Sequence, residues 1–155
     1  MKKLIVAVLM AMTFGQASAD GVKIRDVFRE MPDSLMPYLS LNNRLDFIDF
    51  LDSGMKAEVR NTLSGMSEMT SMADDSLTIR MSNGLRVDML LMDSTVVMIE
   101  TFLVDSIYGE SKVSYFTTQW QPLQQPRLSE AQEQRISRLK LQNIVKRDDD
   151  LLNKR

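Results

Sequence analysis

The side chains able to do chemistry in this sequence are carboxylates, hydroxyls, amines and thioethers, because its 155 residues include no histidine and no cysteine. That excludes a Ser-His-Asp triad, a Cys-His pair, a thiol redox centre and the usual zinc shells. Hydrolysis would have to run on carboxylates, on a Ser-Lys pair or on a hard cation held by oxygen ligands.

Asp46, Asp49 and Asp52 recur at every third position, which fans three carboxylates over adjoining helical turns and makes them candidate calcium ligands. The glycine of a calcium loop is missing, since Gly54 comes too late, and a solvated acidic face accounts for the same spacing. Met66, Met69 and Met72 repeat in the same way. Thioethers favour copper(I), but without His or Cys beside them such methionines are more often adaptable packing residues. Among carboxylates placed on strand faces or ends, Glu100 interrupts an apolar run, and Asp88 and Asp105 are the other two. Glu100 is expected to make a cross-strand ion pair with Arg80 or Arg86; the alternative is a semi-buried carboxylate with a shifted pKa. No second carboxylate has an assured place opposite it, so a glycosidase-like pair is not supported. No catalytic residue and no cofactor is assigned.

The stretch that must position these groups runs from Asp75 to Trp120. Leu77, Ile79 and Met81 alternate with Thr78, Arg80 and Ser82, as in a half-buried strand. Asn83-Gly84 is a strong hairpin signal because both residues tolerate positive φ. Leu85, Val87, Met89 and Leu91 continue the inward face, with Arg86 and Asp88 opposite, and Asp93-Ser94 closes the next turn. Val96 to Val104 is apolar on both faces apart from Glu100 and Thr101, so it is expected to be central and covered from two sides. A loop over 105–110 precedes a last clear strand from Val113 to Thr118, ending at Trp120 before Pro122.

Ahead of this meander, Ile24, Val27, Phe28 and Met31 fall at helical spacing, and Pro32 stops that helix. A proline-framed elbow follows from Leu35 to Leu39, and a second helix is expected from a cap at Asn42 or Asn43 to about Ser53, with Leu41, Leu45, Ile48 and Leu51 or Asp52 tracing its buried edge and Phe47 and Phe50 widening it. Met55 to Leu63 is ambiguous, its Gly54 and Gly65 ends also able to bound a strand, but it reads rather as a helical or irregular connector, and Glu68 to Ser71 as a short strand. The fold class is therefore α+β, with N-terminal helices packed on an antiparallel meander of four to five strands. Pro122 and Pro126 make a stiff linker, after which Ser129 with Gln132 fits a capping box. The tail helix it opens carries a thin stripe of Ala131, Ile136, Leu139 and Val145 among Arg135, Arg138, Lys140, Lys146 and Arg147, as in a solvated terminal helix or a docking helix.

Lys2 and Lys3, the apolar run from Leu4 to Phe14 and Ala17-Ser18-Ala19 have the three-part form of a secretory signal peptide, with cleavage expected before Asp20. The organisation expected is a signal peptide over 1–19, an α+β domain over 20–121 and a linker with a C-terminal helix or tail over 122–155. The apolar run is too short for a membrane span, no other run is long enough to anchor the mature chain, and without cysteine no lipoprotein is expected. The location implied is periplasmic or extracellular. Net charge is −2 and becomes more acidic once Lys2 and Lys3 are removed, which argues against nucleic acid or an anionic membrane as partner.

The stretches Met31-Pro32-Asp33-Ser34-Leu35-Met36-Pro37-Tyr38-Leu39, Asn43-Arg44-Leu45-Asp46-Phe47-Ile48-Asp49-Phe50, and Ser114-Tyr115-Phe116 with Trp120 resemble a family of small exported proteins of unknown function from Bacteroidales-type bacteria. The resemblance implies an envelope or secreted location and an α+β fold, and it carries no site residues. The function expected is a non-enzymatic interaction or binding domain of the bacterial envelope that meets a protein partner. One alternative is a carrier of a small apolar ligand, held in the Met- and Phe-rich space between helices and sheet. Another is a carboxylate-based hydrolase. A polar-lined cavity between the second helix and the sheet would mark a ligand site.

Overall fold

A computed structural model of the protein describes residues 21–103 and 109–140. The signal-peptide segment, Asp105 and the basic and acidic groups beyond Lys140 lie outside the described residues. In chain order the elements are α1 (Ile24–Arg29), a 3-10 turn (Asp33–Leu35), α2 (Leu41–Asp52), then β1 (Glu58–Arg60), β2 (Met66–Met72), β3 (Ser76–Ser82), β4 (Leu85–Met92), β5 (Thr95–Leu103), β6 (Gly109–Thr117) and β7 (Pro122–Leu123). A last helix, α3, is described over 130–140. The strands form one antiparallel sheet in the order β1 to β7, each beside its neighbour in sequence.

The meander is therefore longer than the four to five strands expected. The two additions, β1 and β7, are three and two residues long, too short for alternation to be visible in sequence. The connector expected at Met55 to Leu63 contains β1, and the turn after it is organised by the side chain of Asn61. That amide accepts hydrogen bonds from the Leu63 and Gly65 backbone N–H groups and donates to Ser67 Oγ at 3.0 Å. The loop expected over 105–110 ends earlier, because Gly109 and Glu110 already belong to β6 and pair with Leu103 and Phe102. The hairpin at Asn83-Gly84 is present, but neither residue has positive φ. A bulge between Arg80 and Ser82 accommodates the turn instead.

Register sorts the side chains onto two faces. Leu77 lies opposite Met89, Ile79 opposite Val87, Met89 opposite Met98, and Val96 opposite Phe116. This face, with Met69, is buried under Ile24, Val27 and Phe28 of α1, Met31, Met36 and Leu39 of the elbow, and Phe47 and Ile48 of α2. Each such side chain removed from water contributes about 1.5–3 kcal/mol before entropy is counted, so this layer dominates stability. Trp120, beyond β6, donates from Nε1 to the Val27 carbonyl at 2.8 Å and ties the far side of the sheet to α1.

The opposite face divides in two. Leu90, Met92, Val97 and Ile99 form a second apolar cluster, covered by Ile136 of α3 with Leu128, Leu139, Val113 and Tyr115 packed around it. The two-sided apolar strand is thus β5, and its second cover is the chain's own tail helix. The remainder of this face, toward β1, is polar.

Helix α2 buries Phe47 and Ile48 with Phe50 and Leu51 beside them, as expected, but its cap and first turn differ. Its cap is Ser40, whose Oγ accepts from the Asn43 N–H at 3.2 Å while Asn43 Oδ1 accepts from the Ser40 N–H at 3.2 Å. The buried side chains are Arg44, Phe47 and Ile48, while Leu41 is exposed and Leu45 half-buried. The helix is turned so that Arg44 enters the interior, where it donates to the carbonyls of Met31 (2.6 Å) and Leu39 (3.0 Å). The proline-framed elbow leaves these acceptors without backbone partners, and the guanidinium supplies the missing donors.

Candidate functional site, a cleft between the tail helix and the sheet

Two anchors place α3. Its capping box forms as the sequence predicts, with Ser129 N–H donating to Gln132 Oε1 at 2.8 Å and Gln132 N–H donating to Ser129 Oγ at 3.3 Å. The same Gln132 amide donates from Nε2 to Asp93 in the β4–β5 turn at 3.2 Å. One turn on, Arg135 Nη1 donates to Asp75 Oδ2 before β3 at 2.7 Å. Gln132, Arg135, Ile136 and Leu139 stand at i, i+3, i+4 and i+7, so one helical face meets the sheet. The Arg135 hydrogen bond is the largest cause of a lowered Asp75 pKa, opposed in part by desolvation and helped by the charge of Arg135.

Between this helix and the sheet is a cleft of about 240 Å³, lined by Ser76, Leu77, Thr78, Asp88 and Leu90 from β3 and β4 and by Arg135, Arg138 and Leu139 from α3. Cross-strand pairing sets its floor, with Ser76 opposite Leu90 and Thr78 opposite Asp88. Asp88 is 1% exposed. Its Oδ1 accepts from Thr78 Oγ1 at 2.7 Å and from Arg86 Nη2 and Nε at 2.8 and 3.2 Å. Its Oδ2 is buried and has no hydrogen-bond partner. A buried carboxylate oxygen without a donor is costly, so Asp88 leaves an unsatisfied acceptor in a residue of the cleft's wall. Arg138, on the opposite wall, has no acidic partner among the described residues.

The other carboxylates are arranged differently. Glu100 lies on the face beneath the N-terminal helices, because it pairs in register with Val87. Its ion-pair partner is Lys112 of β6, at 3.5 Å, and the partners expected from sequence are engaged elsewhere, Arg80 with Glu68 and Arg86 with Asp88. Asp88 and Glu100 therefore face opposite sides of the sheet and do not form an acid and base pair. Asp46, Asp49 and Asp52 do not converge: Asp52 is paired with Arg25, and no group of three metal-ligating carboxylates occurs among the described residues. Met66 pairs with Arg60 on the polar face, whereas Met69 is buried in the main core. The bulge after Met69 returns Met72 to that same core, so the three thioethers do not meet.

From sequence, Asp88 is an outward strand residue and one of three candidate carboxylates, with nothing to mark it as buried, and Arg135 and Arg138 are charges of a tail helix. The available signal was the Ser129 and Gln132 cap, which sets the phase of α3 and hence the side that Arg135, Ile136 and Leu139 share.

Among solved structures, a domain of an uncharacterized protein from Porphyromonas gingivalis W83 has a similar fold, with a TM-score of 0.54 and 24% sequence identity. The alignment covers 67% of this chain and 58% of that one, so this chain spans little more than half the length of its structural neighbour. The search of curated proteins found no match. No described helix is long and apolar enough to cross a membrane. A sheet built this way, with its proline-framed elbow and its own helix closing the second face, falls within a family profile that matches residues 16–151, and the chain belongs to that family, DUF3256, proteins of unknown function.

Proposed function

We propose that this protein is an exported, non-enzymatic binding domain of the bacterial envelope and that the cleft under α3 is where it binds. The observation that carries the binding role is the buried Asp88 carboxylate with one oxygen unpartnered in the wall of a cleft flanked by Arg138. Binding sites gather a few convergent polar groups on an apolar wall, and here Leu90 and Leu139 supply that wall. Support for export is the basic start, the apolar run and the Ala17-Ser18-Ala19 end of the first nineteen residues.

Two other readings have less support. An apolar-ligand carrier would use the space beneath α1 and α2, but Phe28, Phe47, Met31, Met69, Met89 and Met98 are all buried there against one another. A carboxylate hydrolase would need two acids on one side, and Asp88 and Glu100 are on opposite faces.

Titrating a panel of small polar fragments into the 15N-labelled chain tests the binding role. Saturable amide shifts confined to Thr78, Asp88, Leu90, Arg138 and Leu139 support it, and a panel that leaves those amides unmoved removes its basis. Cell fractionation with N-terminal sequencing tests export. A chain recovered in the cytoplasm with Met1 intact ends that part of the proposal.

A further inference from the structure

We infer that the cleft under α3 takes a small carboxylate that also carries an uncharged hydrogen-bond donor, such as a hydroxy acid or an N-acylated amino acid. This rests on the reading of the cleft as the binding site and adds the chemistry of its occupant.

Charge balance identifies the anionic part. Arg135 is held by Asp75 at 2.7 Å and Arg86 by Asp88 at 2.8 Å, so both of those cations are neutralised. Arg138 lines the cleft and has no acidic partner among the described residues, which leaves one net positive charge at the wall. A guanidinium matches the two oxygens of a carboxylate with parallel N–H donors. The occupant is therefore a monoanion.

The second group follows from Asp88. Its Oδ2 lacks a donor, but its charge is already balanced by Arg86, whose Nε and Nη2 both reach Oδ1. An ammonium would bring another cation next to Arg86, whereas a hydroxyl or an amide N–H donates without adding charge. Size sets the third limit. About 240 Å³ is below the roughly 300–1,000 Å³ of pockets for drug-sized ligands, so the skeleton is a few atoms long, with Leu90 and Leu139 as its apolar wall.

The test uses lactate and N-acetylglycine as probes, with propionate lacking the donor, lactamide lacking the charge, and ethanolamine and glucose representing other classes. Each is titrated at neutral pH into the 15N-labelled chain, and into R138Q, whose exposed site keeps the fold. Lactate and N-acetylglycine are expected to shift the Thr78, Asp88 and Arg138 amides saturably, and propionate, lactamide and the R138Q variant each to weaken this by about tenfold or more, the usual effect of one lost hydrogen bond to a charged group. Propionate binding as well as lactate overturns the donor, and lactamide binding as well, or an unaffected R138Q, overturns the carboxylate. If ethanolamine or glucose moves the cleft amides and lactate does not, the ligand class fails while the cleft remains a binding site. If no probe moves them, both fail.

Discussion

Arg44 of α2 donates from Nη1 to Asp33 Oδ1 across 2.8 Å, although Arg44 is 2% exposed and Asp33 lies at the surface. The same guanidinium satisfies the Met31 and Leu39 carbonyls. R44M keeps the volume but strands both carbonyls. Urea unfolding is expected to show a loss of about 3 kcal/mol, since each unsatisfied buried acceptor costs about 1–3 kcal/mol. D33N leaves the carbonyl contacts in place and should cost under about 1 kcal/mol. Equal losses in the two variants would contradict a clamp built on the main chain.

Acid should loosen α3. The Arg135 hydrogen bond lowers the pKa of Asp75 from its ordinary value of 3.8. A depressed folded value means that the contribution is complete above the ordinary value and disappears as pH falls through the folded one. Arg135 and Ile136 amide resonances are therefore expected to move toward unstructured positions below about pH 4, and R135Q should already show that state at neutral pH. Identical acid profiles for the wild type and R135Q would refute the coupling.

The Ser129 cap is local to α3, so S129A should act locally. About 1 kcal/mol of helix stability is at stake, which appears as faster amide hydrogen exchange across 130–140 with the β3 to β5 amides unchanged. Uniform acceleration through the sheet would mean that α3 and the sheet open as one unit.

Two carboxylates on opposite faces should respond differently to loss of charge. Asp88 is buried with Arg86 and Thr78 on one oxygen, so D88N removes a charged, hydrogen-bonded acceptor and is expected to cost about 2 kcal/mol. Glu100 makes a 3.5 Å pair with the exposed Lys112, so E100Q should cost under about 1 kcal/mol. Thermal melts of the two variants decide this. A larger loss in E100Q would reverse the assignment of the buried site.

Much of the fold was legible in sequence where the signal is local. Alternation in Leu77, Ile79 and Met81 and in Val87, Met89 and Leu91 marks β3 and β4 because side chains repeat every two residues on a strand. The Ser129 and Gln132 box marked the start of α3 because it depends on two residues three apart. By contrast, Glu58–Arg60 and Pro122–Leu123 become strands only because a neighbour offers its unpaired edge, and nothing within two or three residues encodes that. The burial of Arg44 in the first turn of α2 escapes the same signal for a related reason. Leu41 and Leu45 look like its buried side, but Arg44 is drawn inward by carbonyls that belong to the elbow.

What the sequence determined by itself is the list of excluded chemistries, the antiparallel meander and the need of β5 for two covers, because composition and periodicity are properties of a single strand or helix. The tertiary structure alone decided that α3 is the second cover, that Glu100 is paired with Lys112, and that Asp88 lies buried opposite Arg138 in a cleft. These are relations between residues tens of positions apart, and they exist only once register and helix docking have brought the chain together.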